Sequence, residues 1–189
     1  MAAEEKTYKS LEDALTEPSK VRRLNLSKKG LTAVPEAVLQ FKNLKHLNLG
    51  HNQIGVLPEN ICAALPNLEE LLLGYNLLTA LPVTIVGWKN LRELYLWNNA
   101  LSALPAEIGK LNKLEILILR GNRLHTLPKE IKGLKALASL DLSENPLDAL
   151  PAEIGKLPNL LDVNVSDTTL TPEARAHLQA LLPKARVHF

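Results

Sequence analysis

A single cysteine, Cys62, is the first scarcity of this 189-residue chain. It excludes an intramolecular disulfide and every zinc motif built on several cysteines. Aromatic residues are few as well, at 4% of the chain, so Leu and Ile must fill the interior and the place of each aromatic becomes informative. Neither sign of charge is in excess: the formal net charge is +2, too small to indicate nucleic-acid or anionic-membrane binding. No apolar run approaches the ~18 residues that span a bilayer. The first residues, Met1 to Tyr8, lack the basic start and apolar stretch of a secretory signal. A cytoplasmic location is the expectation. Phosphate-binding loops, Gly-x-Ser-x-Gly elbows, His-Glu-x-x-His helices and dinucleotide fingerprints are absent too.

What the chain does have is a repeat. Asn52, Asn76, Asn99, Asn122 and Asn145 are separated by 24, 23, 23 and 23 residues, each within Leu-x-Leu-x-x-Asn-x-(Leu/Ile)-x-x-Leu-Pro-x-x-Ile. A period of this length means a stacked array whose units cannot bury their apolar faces alone. Units start at Val21, Leu44, Leu68, Leu91, Leu114, Leu137 and Leu160. Around Leu94 and Leu96 the alternation has period two, predicting a short strand with one buried face. Asn99 follows where the chain turns inward, and its amide can satisfy backbone groups of its own repeat and of the next. Pro105 fits the first position of a helical turn, and Ile108 and Leu111 direct that turn into the core.

This pattern closely resembles the leucine-rich repeat family, in the 23-residue Leu-Pro-x-x-Ile variety of bacterial, Ras-group and Roco-type proteins. The resemblance covers residues 21 to 170, with six consecutive units carrying nearly all the consensus positions. It implies an α/β solenoid with a curved parallel sheet on the concave face and short helical or 3-10 turns on the convex face. Departures fall at the ends, where Lys29 and Thr168 occupy the asparagine position. The second unit carries one extra residue between Ile61 and Leu65, and Trp88 stands in a leucine position of the third, where it is expected in the core.

One domain over residues 1–189 is expected: a helical cap over 1–20, about seven repeats over 21–170, and a helix and strand cap over 171–189. Tyr8, Leu11 and Leu15 predict a short amphipathic helix ending before Pro18. Thr171, Pro172 and Glu173 read as an N-cap, a first-turn proline and an acid near the positive helix end. Leu178 and Leu182 should cover the last repeat, Pro183 should stop the helix, and Val187 to Phe189 can add an extended segment. The expectation is a sealed solenoid without an attached effector domain.

Little points to chemistry. Cys62 lies in an apolar convex turn with no base or activating neighbour in evidence, so a packed or half-buried thiol is expected. His46 and His51 share one repeat but lie about 15 Å apart along an extended segment. With no third ligand they read as solvated rim histidines. No catalytic residue, cofactor or metal is expected.

The informative positions are those the consensus leaves free. Between the two strand leucines the stack reads Asn25, Asn48, Leu72, Tyr95, Ile118, Asp141 and Asn164, polar at both ends and apolar in the middle. With adjacent strands ~4.8 Å apart, Leu72, Tyr95 and Ile118 form a stripe about 10 Å long. Trp97, Tyr75, Leu77 and Ile116 enlarge it, and Gly50, Gly74 and Gly121 are expected to leave hollows beside the aromatics. Trp and Tyr on a concave surface have the composition of an interface hot spot. Charge is sorted too, with Arg23, Lys28, Lys45, His46 and His51 toward the amino-terminal end. Asp141, Glu144, Asp162 and Asp167 lie toward the other end, and Arg120 and Arg123 lie between.

The function expected from these residues is non-enzymatic capture of a protein or peptide on the concave face. Leu72, Tyr75, Tyr95, Trp97, Ile116 and Ile118 are the anchors, with Arg120 and Arg123 as charged guides. A monomer is expected, although the stripe could also drive self-association. Two other readings stay open: a regulatory subunit of a small GTPase or phosphatase, and a bacterial effector delivered to a host cell.

Overall fold

The computed structural model describes residues 5–189 as one nine-stranded, wholly parallel open sheet in which the strands follow chain order. The strands are two or three residues long: β1 Thr7–Tyr8, β2 Arg23–Asn25, β3 His46–Asn48, β4 Glu70–Leu72, β5 Glu93–Tyr95, β6 Ile116–Ile118, β7 Ser139–Asp141, β8 Asp162–Asn164 and β9 Arg186–His188. Parallel neighbours require a crossover. Here each crossover runs over the back through a short helical turn, such as Val83–Gly87, Ala106–Lys110 or Lys129–Gly133, in 3-10 geometry. The sheet thus forms one face of the solenoid, the concave face of this architecture, and the turns form the other.

Register is uniform. Leu24, Leu47, Leu71, Leu94, Leu117, Leu140 and Val163 pair in succession across β2 to β8, and all are buried. A one-residue slip would turn this column out to solvent and bring its polar neighbours in. Trp88 fills its leucine position fully buried, and its indole N–H has no partner among the described residues.

The asparagines bind backward. Asn76 Nδ2 donates to the carbonyl of Leu73 in its own repeat and to that of Leu49 in the preceding one, while its Oδ1 accepts from the Ile54 amide. Asn99 and Asn122 repeat the pattern. The expected link to the following repeat is thus reversed, because the turn delivers the amide toward strands already laid down. Each strand carbonyl so used is shared: Leu96 O accepts from both Asn99 and Asn122. At the far end the Thr168 hydroxyl donates to Val165 O and replaces the amide.

Other expectations shift by a residue. Pro105 precedes its turn in extended geometry, and its carbonyl accepts from the Ile108 amide. The extra residue of the second unit winds its turn into an α-helix, α2, Ile61–Ala64. The amino-terminal helix, α1, covers only Leu11–Thr16, with Ala14 buried and Leu15 exposed. Tyr8 is not on it but in β1, buried against the first repeat, so the amino-terminal cap is part strand. At the other end α3, Pro172–Leu181, is capped by the Thr171 hydroxyl and buries Leu178, and β9 closes the sheet.

Burial pushes the Cys62 thiol up to about 11, opposed by a hydrogen bond from Thr84. A thiolate-directed alkylating reagent at pH 8 should therefore label the native chain far more slowly than the unfolded chain; equal rates would show that the thiol is accessible. Asn122→Ala orphans the buried Leu101 amide and strips donors from two shared carbonyls. Its expected cost is about 3 kcal/mol, read by circular dichroism as a midpoint lower by roughly 10 °C. The same change at Asn99, whose side chain is less buried, should cost less.

Candidate protein-binding face

The residues on either side of each central strand leucine face the concave surface, because strand side chains alternate. Register sets Leu72 beside Tyr95 and Tyr95 beside Ile118, with Ile116 in the neighbouring column. All four are half-buried, their outer faces open on the sheet.

Trp97, immediately past β5, lies edge-on to Tyr95, with ring centroids 5.5 Å apart and planes at 82°. Its indole covers Gly74: a Cβ at that position would meet Trp97 Cε2 at 2.2 Å. The expected hollow at Gly74 is therefore a slot already filled by the ring. Likewise, a Cβ on Gly121 would meet Asn98 Oδ1 at 2.3 Å. These glycines allow close packing and leave no vacancy.

The column before the central leucine carries Arg23, His46 and Asp162 of the sorted charges and also brings two further acids, Glu70 and Glu93, beside the stripe. It runs Arg23, His46, Glu70, Glu93, Ile116, Ser139, Asp162. Acidity thus begins in the third repeat, not only at the carboxy-terminal end. His46 Nδ1 lies 2.7 Å from Glu70 Oε2, and Tyr95 Oη donates to Glu93 Oε2 at 2.6 Å. Burial and the adjacent Glu93 hold the Tyr95 hydroxyl above its usual range, so it remains a donor.

The row just before the ladder asparagines is left-handed in six non-glycine residues: Lys28, His51, Tyr75, Asn98, Glu144 and Asp167, with φ between 52° and 57°. Gly121 fills the same position in the fifth repeat, at φ 65°. Gly121, Asn98, His51 and Asp167 are the hints of this row in the sequence, since these residue types adopt such geometry more readily than others. Tyr75 lies on this rim and not on the sheet. It is 48% exposed and stacked on His51 at 4.4 Å between centroids. His51 and His46 are therefore both engaged and not simply solvated. Arg120 pairs with Glu144 and holds that carboxyl below its usual range.

Leu77 and Arg123 lie past the ladder, on the flank that joins the sheet to the convex turns. The opposite flank carries a second set of asparagines missed in the sequence. Asn67, Asn90 and Asn159 each donate to a carbonyl of the preceding repeat, and Asn43 donates to Ser19 of the amino-terminal cap. Among the described residues no group of three His, Cys, Asp or Glu side chains is placed to hold a metal ion, and no helix is long and apolar enough to cross a membrane.

A leucine rich repeat family model matches residues 19–78 and 89–147, and a two-copy leucine rich repeat model matches 66–107. Among solved structures, the leucine-rich repeat domain of the type III effector XopL superposes with a TM-score of 0.73 and 28% identity. That likeness covers 83% of this chain and 55% of the other. Over 65 residues the chain is 46% identical to leucine-rich repeat and calponin homology domain-containing protein 1 of Mus musculus. Over 65 residues it is also 34% identical to a probable serine/threonine-protein kinase of Dictyostelium discoideum. The chain spans only 9% and 5% of those two relatives, respectively. Domains of this fold generally serve as protein–protein interaction modules. With the repeat models matching well over half of its length, the chain belongs to the leucine-rich repeat family.

Proposed function

We propose that the protein is a non-enzymatic cytoplasmic scaffold that captures a protein or peptide on the concave face at repeats three to five. Leu72, Tyr95, Ile116, Ile118 and Trp97 are its anchors, Tyr75 closes the rim, and Arg120 and Arg123 steer an acidic segment. The observation that carries this reading is Trp97, seated over Gly74 and held edge-on by Tyr95. A large ring locked beside open apolar side chains has already lost the freedom that binding would otherwise take from it. Glu70 and Glu93 add acceptors at the edge of the stripe, so the partner should present donors there. A second reading, delivery into a host cell as an effector, draws on the likeness to the XopL domain. It uses the same anchors and differs in whose proteins are captured.

A pull-down with the intact chain, run in parallel on lysates of its own cell and of a candidate host, separates the two readings. Against a recovered partner, Tyr95→Ala/Trp97→Ala should lower affinity by about thirtyfold or more, because truncating one hot-spot aromatic costs about 2 kcal/mol. Unchanged affinity with an intact fold would remove the concave stripe from the site. Gly74→Ala should expel the indole from its slot, costing about 1–3 kcal/mol of stability and weakening capture. In a Trp88→Phe background it should also shift the Trp97 emission to the red; an unshifted spectrum would mean that the ring is not held there.

A further inference from the structure

The two flanks of the solenoid differ. One is laced by the second asparagine set and by the Lys45–Glu69 and Arg92–Glu115 ion pairs. The other, formed by the runs that leave the carboxy-terminal ends of the strands, has no charged side chain at its centre. None occurs between Glu70 and Lys89 or between Glu93 and Glu107. Leu77 and Val56 stand 59% and 73% exposed on it, beside exposed Ala80, Ser102 and Ala103.

The charges that border this flank follow an order that complements itself when reversed. Along the left-handed row, reversal about Asn98 sets Lys28 opposite Asp167 and His51 opposite Glu144. It also sets Tyr75, the one bulky aromatic of the row, opposite Gly121, where the Asn98 amide already fills the space a Cβ would take and leaves a flat surface for the ring. The rows farther from the sheet obey the same rule. Leu77 meets the aliphatic stem of Arg123, Val56 meets Ala149, and His125 and Asp148 meet Thr79 and Gly55. No charge meets its like. At the centre stand Ala100, Ser102 and Ala103, all small enough to let two backbones approach.

We propose that this flank binds a second copy of the chain, face to face, about a two-fold axis that runs radially through the fourth repeat. Such an axis maps each row onto itself in reverse, which is the relation an isologous interface requires. It also superimposes the two arcs, so curvature does not oppose contact. Seven turns ~4.8 Å apart and a flank about five extended residues wide give a strip of roughly 30 by 16 Å. The two copies together would bury about 1,000 Å2, the range of weak, reversible association. Reversal is selected by charge, and contact is supplied by Leu77, Val56 and Tyr75. The proposal shares Tyr75 and Arg123 with the concave-face reading but is tested apart from it, since Ser102, Lys28 and Asp167 belong to no part of that site.

Sedimentation of the intact chain as a function of concentration tests it. A monomer–dimer equilibrium with a dissociation constant in the tens to hundreds of micromolar is expected. Ser102→Arg, which sets two guanidinium groups against each other on the axis, should leave only monomer with an unchanged circular dichroism spectrum. Lys28→Glu should weaken the dimer about tenfold, through like-charge contacts at two symmetric places. Adding Asp167→Lys to the same chain should restore it. A chain that stays monomeric at millimolar concentration would overturn the proposal, as would a dimer that survives Ser102→Arg. So would a double charge swap that fails to recover. A dimer broken by Tyr95→Ala/Trp97→Ala but not by Ser102→Arg would move self-association to the concave stripe.

Discussion

Everything in this molecule hangs on one shared acceptor. The carbonyl of the second leucine of a strand receives the amide of its own ladder asparagine and that of the next repeat, as Leu73 O receives Asn76 and Asn99. The same sharing at Leu49, Leu96 and Leu119 links five repeats into a continuous run of side-chain and backbone bonds. An acceptor lodged between two donors fixes the distance from one turn to the next, and with it the register of the sheet. The price is local: to swing the amide inward, the preceding residue turns left-handed. That geometry is strained for most L-residues by about 1–2 kcal/mol; Gly121 escapes it, and Asn98, Asp167 and His51 adopt it more readily than Lys28, Tyr75 or Glu144. The residues of that row are therefore poorly explained by stability. Lys28, His51, Tyr75, Glu144 and Asp167 are better explained by what they present outward.

Periodicity made the scaffold readable. Leucine spacing gave the strands, the asparagine interval gave the turns, and Thr171-Pro172-Glu173 gave the last helix. What stayed hidden depends on direction and on faces. A side-chain amide can serve the repeat ahead or the repeat behind with equal chemistry, and only the path of the turn decides between them. Tyr8 sits at helical spacing from Leu11 and Leu15, yet it pairs as a strand because the first repeat needs an edge partner more than the helix needs another turn. Glu70 and Glu93 escaped because the visible sorting of charge lies at the two ends of the stack, whereas these two acids stand in its apolar middle, one column over from Leu72 and Tyr95. The glycines misled in the opposite sense: an absent side chain suggests a hollow, but Trp97 and Asn98 had already closed the gaps.

The filled slot at Gly74 gives the concave stripe a rigid centre. A surface tryptophan on a flexible rotamer would contribute area at the cost of ordering. Trp97 is instead seated by a glycine behind it and an aromatic edge beside it, and the shared-carbonyl ladder runs through the next residue but one, Asn99. Rigidity at the ladder is therefore transmitted over two residues to the anchor. The rest of the stripe inherits its spacing from the same source, since Leu72, Tyr95 and Ile118 keep the strand interval whether or not a partner is present.

The ladder also bears on how two copies would act together. A radial two-fold axis turns both concave faces to the same side, with the Trp97 side chains near the join and the stripes running in opposite directions. A ligand with two equivalent segments would then meet two sites held rigidly at one separation, and its second contact would become intramolecular. A weak interface suffices for that, because ligand and dimer stabilise each other through linkage. An uncharged centre with complementary charges only at its ends fits such a role: it permits association without enforcing it and leaves occupancy of the concave face to shift the balance. The charge order of the left-handed row then has a reason that neither the strain of that row nor the stability of a single chain supplies.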